Sequence, residues 1–111
     1  MGAMRTFVAL ASLSELAPGQ SLAVPVAGGT IALFNVGGRI FALEDTCVRC
    51  GASLAMGKVE ATSVLCSGCD WRYGLATGCV NGVPALHIDT FHVDVVDGNI
   101  MVEAALLPQG P

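Results

Sequence analysis

The sequence predicts an all-β domain of short antiparallel strands. Three observations carry that reading. Short apolar runs are separated by glycine, proline and Asp-Gly pairs, the punctuation of hairpins. Near the C-terminus, Phe91, Val93 and Val95 alternate with His92, Asp94 and Val96, the period-two pattern of a strand with one buried face. The composition, 53% hydrophobic and only 13% charged, suits a small, well-buried β domain and argues against disorder. A chain of 111 residues forms one domain with a modest core.

Arg5 to Leu10 is a short apolar run and is expected at a sheet edge. Ser12 and Glu15 have capping-box spacing, so one helical turn is expected after it. Ser21 to Val26 and Thr30 to Val36 flank Gly28-Gly29, a hairpin signal. Pro25 cannot donate to a ladder, which places it on an edge or near a strand end. Gly37-Gly38 turns the chain into Arg39 to Glu44. Lys58 to Glu60 and Ser63 to Leu65 read as a short hairpin, and Thr77 as turn chemistry. Phe91 to Val96 reads as one alternating strand, and Asp97-Gly98 turns it into Asn99 to Val102. Ala104 to Pro111 has no strand pattern and reads as loosely attached. The expected boundaries are a single domain over 4–105, a metal-binding subdomain over about 46–78, and a loose tail over 106–111.

The uncharged stretch from Leu16 to Gly38 is broken by prolines and glycines, so no membrane helix is expected. No secretory signal is apparent, and a cytoplasmic, reducing compartment is the expectation. The net charge of −4 makes nucleic acid an unsuitable partner and is compatible with steering toward a basic protein. No catalytic triad, phosphate loop or carboxylate pair points to an enzyme or a small-molecule substrate.

The chemistry lies in the cysteines. Cys47-Val-Arg-Cys50-Gly51 and Cys66-Ser-Gly-Cys69-Asp70 are two CxxC turns separated by fifteen residues. Such a turn points both sulfurs the same way, and two facing turns enclose one ion. Four thiolates select zinc or iron. Five cysteines is an odd number, which speaks against a disulfide framework. The fifth, Cys79, lies outside both turns and reads as a small packed residue.

Around these turns stand Ile40-Phe41-Ala42-Leu43-Glu44-Asp45-Thr46-Cys47, Gly51-Ala52-Ser53-Leu54, Gly57-Lys58-Val59, Val64-Leu65-Cys66 and Trp71-Arg72-Tyr73. Thr77-Gly78, Pro84-Ala85-Leu86, Phe91-His92-Val93 and Gly98-Asn99-Ile100 follow in order. The ordered set resembles a Rieske ferredoxin from about Thr6 to Glu103, and also the related small subunit of assimilatory nitrite reductase. The resemblance implies an antiparallel β sandwich with a small cluster-binding subdomain. It also implies loops of the form Cys-x-His and Cys-x-x-His, with cysteines on an inner iron and histidines on an outer one.

The chain departs from that pattern at both histidines. Cys47 and Cys66 fall on the two cysteine positions, Arg49 on the first histidine position and Cys69 on the second; Cys50 is an added sulfur. A cysteine side chain is shorter than an imidazole, so the change draws the metal inward and makes the loops resemble rubredoxin or a zinc ribbon. The expected ligands are Cys47, Cys50, Cys66 and Cys69, around mononuclear iron in preference to a 2Fe–2S cluster, with zinc as the alternative. The resemblance then implies a one-electron carrier, not itself an enzyme, between a reductase and an oxygenase-type acceptor. The zinc alternative is a redox-inert structural or interaction module. Gly51 is expected to let backbone N–H groups approach the sulfurs, Arg49 to screen thiolate charge or be solvated, Asp70 to cap its turn, and Trp71 and Tyr73 to pack beneath the second loop. Lys58 and Arg72 are expected near the same surface, whereas His87 and His92 are not expected to be ligands.

Overall fold

The computed structural model describes residues 7–26, 29–81 and 83–103. Its twelve described strands are β1 (Phe7–Ser12), β2 (Ser21–Val26), β3 (Gly29–Val36), β4 (Arg39–Glu44), β5 (Lys58–Glu60) and β6 (Ser63–Leu65), then β7 (Arg72–Gly74), β8 (Cys79–Val80), β9 (Val83–His87), β10 (Thr90–Phe91), β11 (Val93–Val96) and β12 (Asn99–Glu103). They form three antiparallel sheets. The first runs β1-β12-β11, the second β10-β4-β3-β2, and the third β5-β6-β7-β8-β9.

The second sheet is central. Along β3, Ile31 and Leu33 pack with Leu16, Ala42, Phe91, Ile100 and Val102, toward the first sheet. Ala32 and Phe34 point the other way, with Phe41, Leu43, Val64, Tyr73 and Val80, toward the third. Both faces of β3 are therefore buried, which is why it reads as a continuous apolar run rather than an alternation. Each large aliphatic or aromatic side chain buried in this way contributes about 1.5–3 kcal/mol.

Most expected elements are present. The first strand is on an edge, although it spans Phe7–Ser12; Arg5 lies outside the described residues. Ser12 caps a single 3-10 turn over Leu13–Glu15, and Glu15 closes the capping box by accepting from the Ser12 N–H at 2.8 Å. Pro25 sits on β2, an edge strand. Gly37 and Gly38 have φ of +62° and +98°, as a tight hairpin turn requires. The expected Gly28 of the first hairpin and the segment 104–111 lie outside the described residues.

One expectation is corrected. Phe91 to Val96 is not one strand. Thr90 and Phe91 pair with Leu43 and Ala42 of β4, and the chain then crosses at His92 so that Val93–Val96 pairs with β12. The alternation is correspondingly incomplete: Phe91 is buried but Val95 is exposed. The expected hairpin of Lys58–Glu60 and Ser63–Leu65 is present, and β7, β8 and β9 extend it into a five-stranded sheet. Two- and three-residue strands are too short to show a period.

Candidate metal centre

The two cysteine loops leave the sheets at β4 and β6. The first is closed at its base by a bridge between Thr46 and Ser53. Buried Asp45 fixes that base: its Oδ1 accepts from Ser53 Oγ at 2.8 Å and from the Ala55 N–H at 2.9 Å, while its carbonyl accepts from the Leu54 N–H at 2.6 Å. The two loops close alike. The Cys47 N–H donates to the Ala52 carbonyl and the Cys66 N–H to the Trp71 carbonyl, each five residues on and each at 2.9 Å.

Gly51 carries φ of +80°, and its N–H donates to the Cys47 carbonyl at 2.9 Å, so the first turn ends in a left-handed residue that glycine adopts without strain. Gly68 is needed for another reason. A Cβ there would lie 2.9 Å from Cys50 Sγ and 2.9 Å from Ala52 Cβ, so only glycine lets the second loop lie this close to the first.

The sulfurs of Cys47, Cys50, Cys66 and Cys69 all lie within 4.8 Å of one another. Cys50 to Cys66 is 3.4 Å and Cys47 to Cys69 is 3.9 Å, both across the loops. A tetrahedron with metal–sulfur bonds of about 2.3 Å has edges of about 3.8 Å. The two cross-loop distances of 3.4 and 3.9 Å lie near that edge, and no sulfur of the quartet is more than 4.8 Å from another. A diiron core would require the sulfurs to separate into two pairs. Cys47 and Cys66 are buried, at 2% and 3% exposure, whereas Cys69 is half-buried and Cys50 exposed. The site therefore has a deep side and a solvent side.

N–H and O–H groups surround the sulfurs. Tyr73, fully buried, donates its hydroxyl to Cys47 Sγ at 3.1 Å and accepts from the Val48 N–H at 3.1 Å. The Gly68 N–H donates to Cys66 Sγ at 3.4 Å. Burial pushes the Cys47 thiol up, but the Tyr73 hydroxyl and the Cys50 and Arg49 N–H groups outweigh it and bring it down to about 6. Burial pushes Cys66 up to about 12, with the neighbouring thiols adding to it. The Trp71 N–H favours the Cys69 thiolate, yet burial and the sulfurs of Cys47 and Cys50 leave it above its ordinary value. Burial also raises Tyr73, and the Cys47 sulfur it faces raises it further, so it remains a donor. Four thiols this close do not all ionise alone; a cation in their midst supplies the missing compensation.

The remaining residues fall as follows. The Arg49 guanidinium lies 5.5 Å from the Trp71 ring centroid and 3.5 Å from Asp70 Oδ1, so it is neither simply solvated nor held by the sulfurs. Asp70 pairs with Arg49 in place of the expected turn cap. Trp71 is half-buried against the core beneath the second loop, as expected. Lys58 and Arg72 pair with Glu60, at 3.9 and 2.6 Å. Cys79 is half-buried on β8 and stands apart from the quartet. His87 and His92 are exposed: His87 Nδ1 lies 3.1 Å from the Pro84 carbonyl, and His92 packs edge-on against Phe7. Sequence reasoning missed the Tyr73 hydroxyl and Asp45. Neither carried a local signal, because the partners of both lie elsewhere in the chain: Cys47 for Tyr73, and Ser53 and Ala55 for Asp45.

Comparison with known proteins settles the family. The Rieske [2Fe-2S] domain profile matches residues 6–94. The chain belongs to the Rieske domain family. A ferredoxin component of the p-cumate 2,3-dioxygenase system of Pseudomonas putida is 31% identical over 104 residues, covering 91% of this chain and 88% of its own. The ferredoxin of carbazole 1,9a-dioxygenase from Nocardioides aromaticivorans superposes with a TM-score of 0.80 at 28% identity, covering 88% of this chain and 97% of its own. A chain from a complex of reduced oxygenase and oxidized ferredoxin in carbazole 1,9a-dioxygenase superposes at 0.79 with 26% identity, covering 87% and 92%. These relatives are ferredoxin components, electron carriers rather than catalytic subunits. The Rieske resemblance and the all-β fold read from the sequence are thus borne out, with four cysteines gathered where the loops meet. Among the described residues no helix is long and apolar enough to cross a membrane.

Proposed function

We propose that this Rieske-family protein is a small electron carrier whose iron is mononuclear and held by Cys47, Cys50, Cys66 and Cys69. The observation that carries the reading is the sulfur quartet within 4.8 Å on a ferredoxin scaffold. Bound iron would supply a one-electron couple. The chain's own residues do the rest. Cys47 and Cys66 hold charge in the dry interior, and the N–H and O–H donors around them spread it. Cys50, on the solvent side, gives the electron its shortest way to a partner. By analogy with the dioxygenase ferredoxins, the partners are a reductase and an oxygenase component, in the cytoplasm. The functional unit is a single domain over about 4–105, with the metal-binding part over about 46–78.

A 2Fe–2S cluster would need the loops to open beyond the close approach that Gly68 permits to Cys50 and Ala52. Zinc is the second reading, favoured by the same compact tetrahedral dimensions. It would act only as a staple between the loops. Absorption spectra of protein grown with excess iron separate the two. Visible sulfur-to-iron bands that bleach reversibly with one electron per chain support the carrier. A colourless protein with one zinc, even under iron-rich growth, supports the staple and removes the electron-transfer reading.

A further inference from the structure

We propose that Arg49 is a latch that holds the second cysteine loop closed over the metal site. Its guanidinium reaches from the first loop to Asp70 and Trp71, the two residues that follow Cys69. The inference rests on the four-cysteine reading and concerns what keeps that site shut.

Trp71 is the reason the grip matters. Its carbonyl accepts from the Cys66 N–H at 2.9 Å, so its backbone closes the second turn from Cys66 past Cys69. Its ring lies under the Arg49 guanidinium, at 5.5 Å. Asp70, between Cys69 and Trp71, pairs with the same guanidinium at 3.5 Å. One side chain of the first loop thus binds the segment that orients Cys66 and Cys69. Arg49 also stands immediately before Cys50, so the latch spans the solvent side of the quartet. One guanidinium makes two contacts at once, over an aromatic ring and toward a carboxylate, a combination suited to its flat, delocalised charge. Arg49 is a positioning residue: it touches the loop that holds the sulfurs.

The ion pair is exposed, 53% at Arg49 and 91% at Asp70, so it is weak and salt-screened. The effect expected is on how often the loop opens, not on whether the site forms. In zinc-loaded full-length protein, transfer of zinc to excess chromogenic chelator is timed at low and high sodium chloride. Arg49→Met is expected to speed transfer about 3- to 30-fold at low salt and to flatten its salt dependence. Arg49→Lys recovers only part, because an ammonium loses the planar contact. Asp70→Asn, a highly exposed change that leaves folding intact, removes the salt dependence while keeping the ring contact. Trp71 is the single tryptophan, so acrylamide quenching of its emission reads the latch directly and rises in Arg49→Met. Transfer at the parent rate and salt dependence in both Arg49→Met and Asp70→Asn, with unchanged quenching, overturns the proposal. A chain that takes up no metal refutes the four-cysteine reading alone. The latch is then read, in a Cys79→Ser background, from the rate at which an aromatic disulfide reagent modifies Cys50. Arg49→Met raises that rate if the latch exists and leaves it unchanged if it does not.

Discussion

Replacing Gly68 with alanine tests the closeness of the two loops with a single methyl group. Gly68 has no positive φ, so alanine suits its backbone and the cost falls on contacts alone. The new Cβ would sit 2.9 Å from Cys50 Sγ and 2.9 Å from Ala52 Cβ, both well inside ordinary van der Waals separation. Ala52 is held through its carbonyl, which accepts from the Cys47 N–H, and Cys50 Sγ, although exposed, can turn away only by leaving its place 3.4 Å from Cys66 Sγ. Overpacking of this kind costs about 1–3 kcal/mol. If the cost falls on the closed, metal-bound form, affinity drops about 5- to 150-fold, at about 1.4 kcal/mol per tenfold. The assay is competition for zinc against a chelator of known affinity, with Ser67→Ala as a neighbouring control that adds no atoms. Ala52→Gly in the Gly68→Ala background relieves one of the two contacts and is expected to recover part of the loss. Parent-like affinity in Gly68→Ala would show that the sulfurs do not gather as closely as described here.

Other perturbations address individual residues. Cys50→Ser removes one of four sulfurs and is expected to lower metal retention after dialysis against chelator by at least tenfold, with a fall in Tm of the loaded protein; unchanged metal content and Tm would exclude Cys50 as a ligand. Tyr73→Phe deletes the hydroxyl that donates to Cys47 Sγ and accepts from the Val48 N–H. Loss of a donor that favours the more negative reduced state lowers the iron potential, by about 60 mV if the bond differs by about 1.4 kcal/mol between states; voltammetry showing no shift, or a rise, contradicts this role. Metal affinity also follows pH. At pH 7 Cys47, lowered to about 6, is already ionised, while Cys66, raised to about 12, and Cys69, also raised, still carry protons that binding must release. Apparent affinity therefore rises with pH by at least about two decades per unit near neutrality, measured by competition across pH 6.5–8; a flat profile removes the coordinating role of Cys66 or Cys69.

The cysteine pairs, the glycine turns and the Ser12–Glu15 capping box were legible because each is local: its signal lies within a few neighbouring residues. The order of landmarks carried the family and, through it, the all-β fold. What was not legible depends on contacts distant in sequence. Tyr73 meets Cys47 across 26 positions, and nothing near Tyr73 announces its hydrogen bond. Asp45 looks like an ordinary acidic residue until Ser53 and Ala55 fold back on it. The crossing at His92 was hidden because Phe91 and Val93 are both apolar and alternate correctly, yet belong to different sheets. The sequence places Arg49 as a cation near thiolates, but its partners are the two residues beyond Cys69, which lie next to it only once the loops face each other.

The number of metal ions per chain, measured together with acid-labile sulfide on anaerobically purified, iron-supplied protein, tests the central claim most directly. One iron per chain with no labile sulfide is the predicted result. Two irons with two sulfides would mean that the loops open around a cluster, and a metal-free chain with all four thiols freely reactive would contradict the shared site altogether.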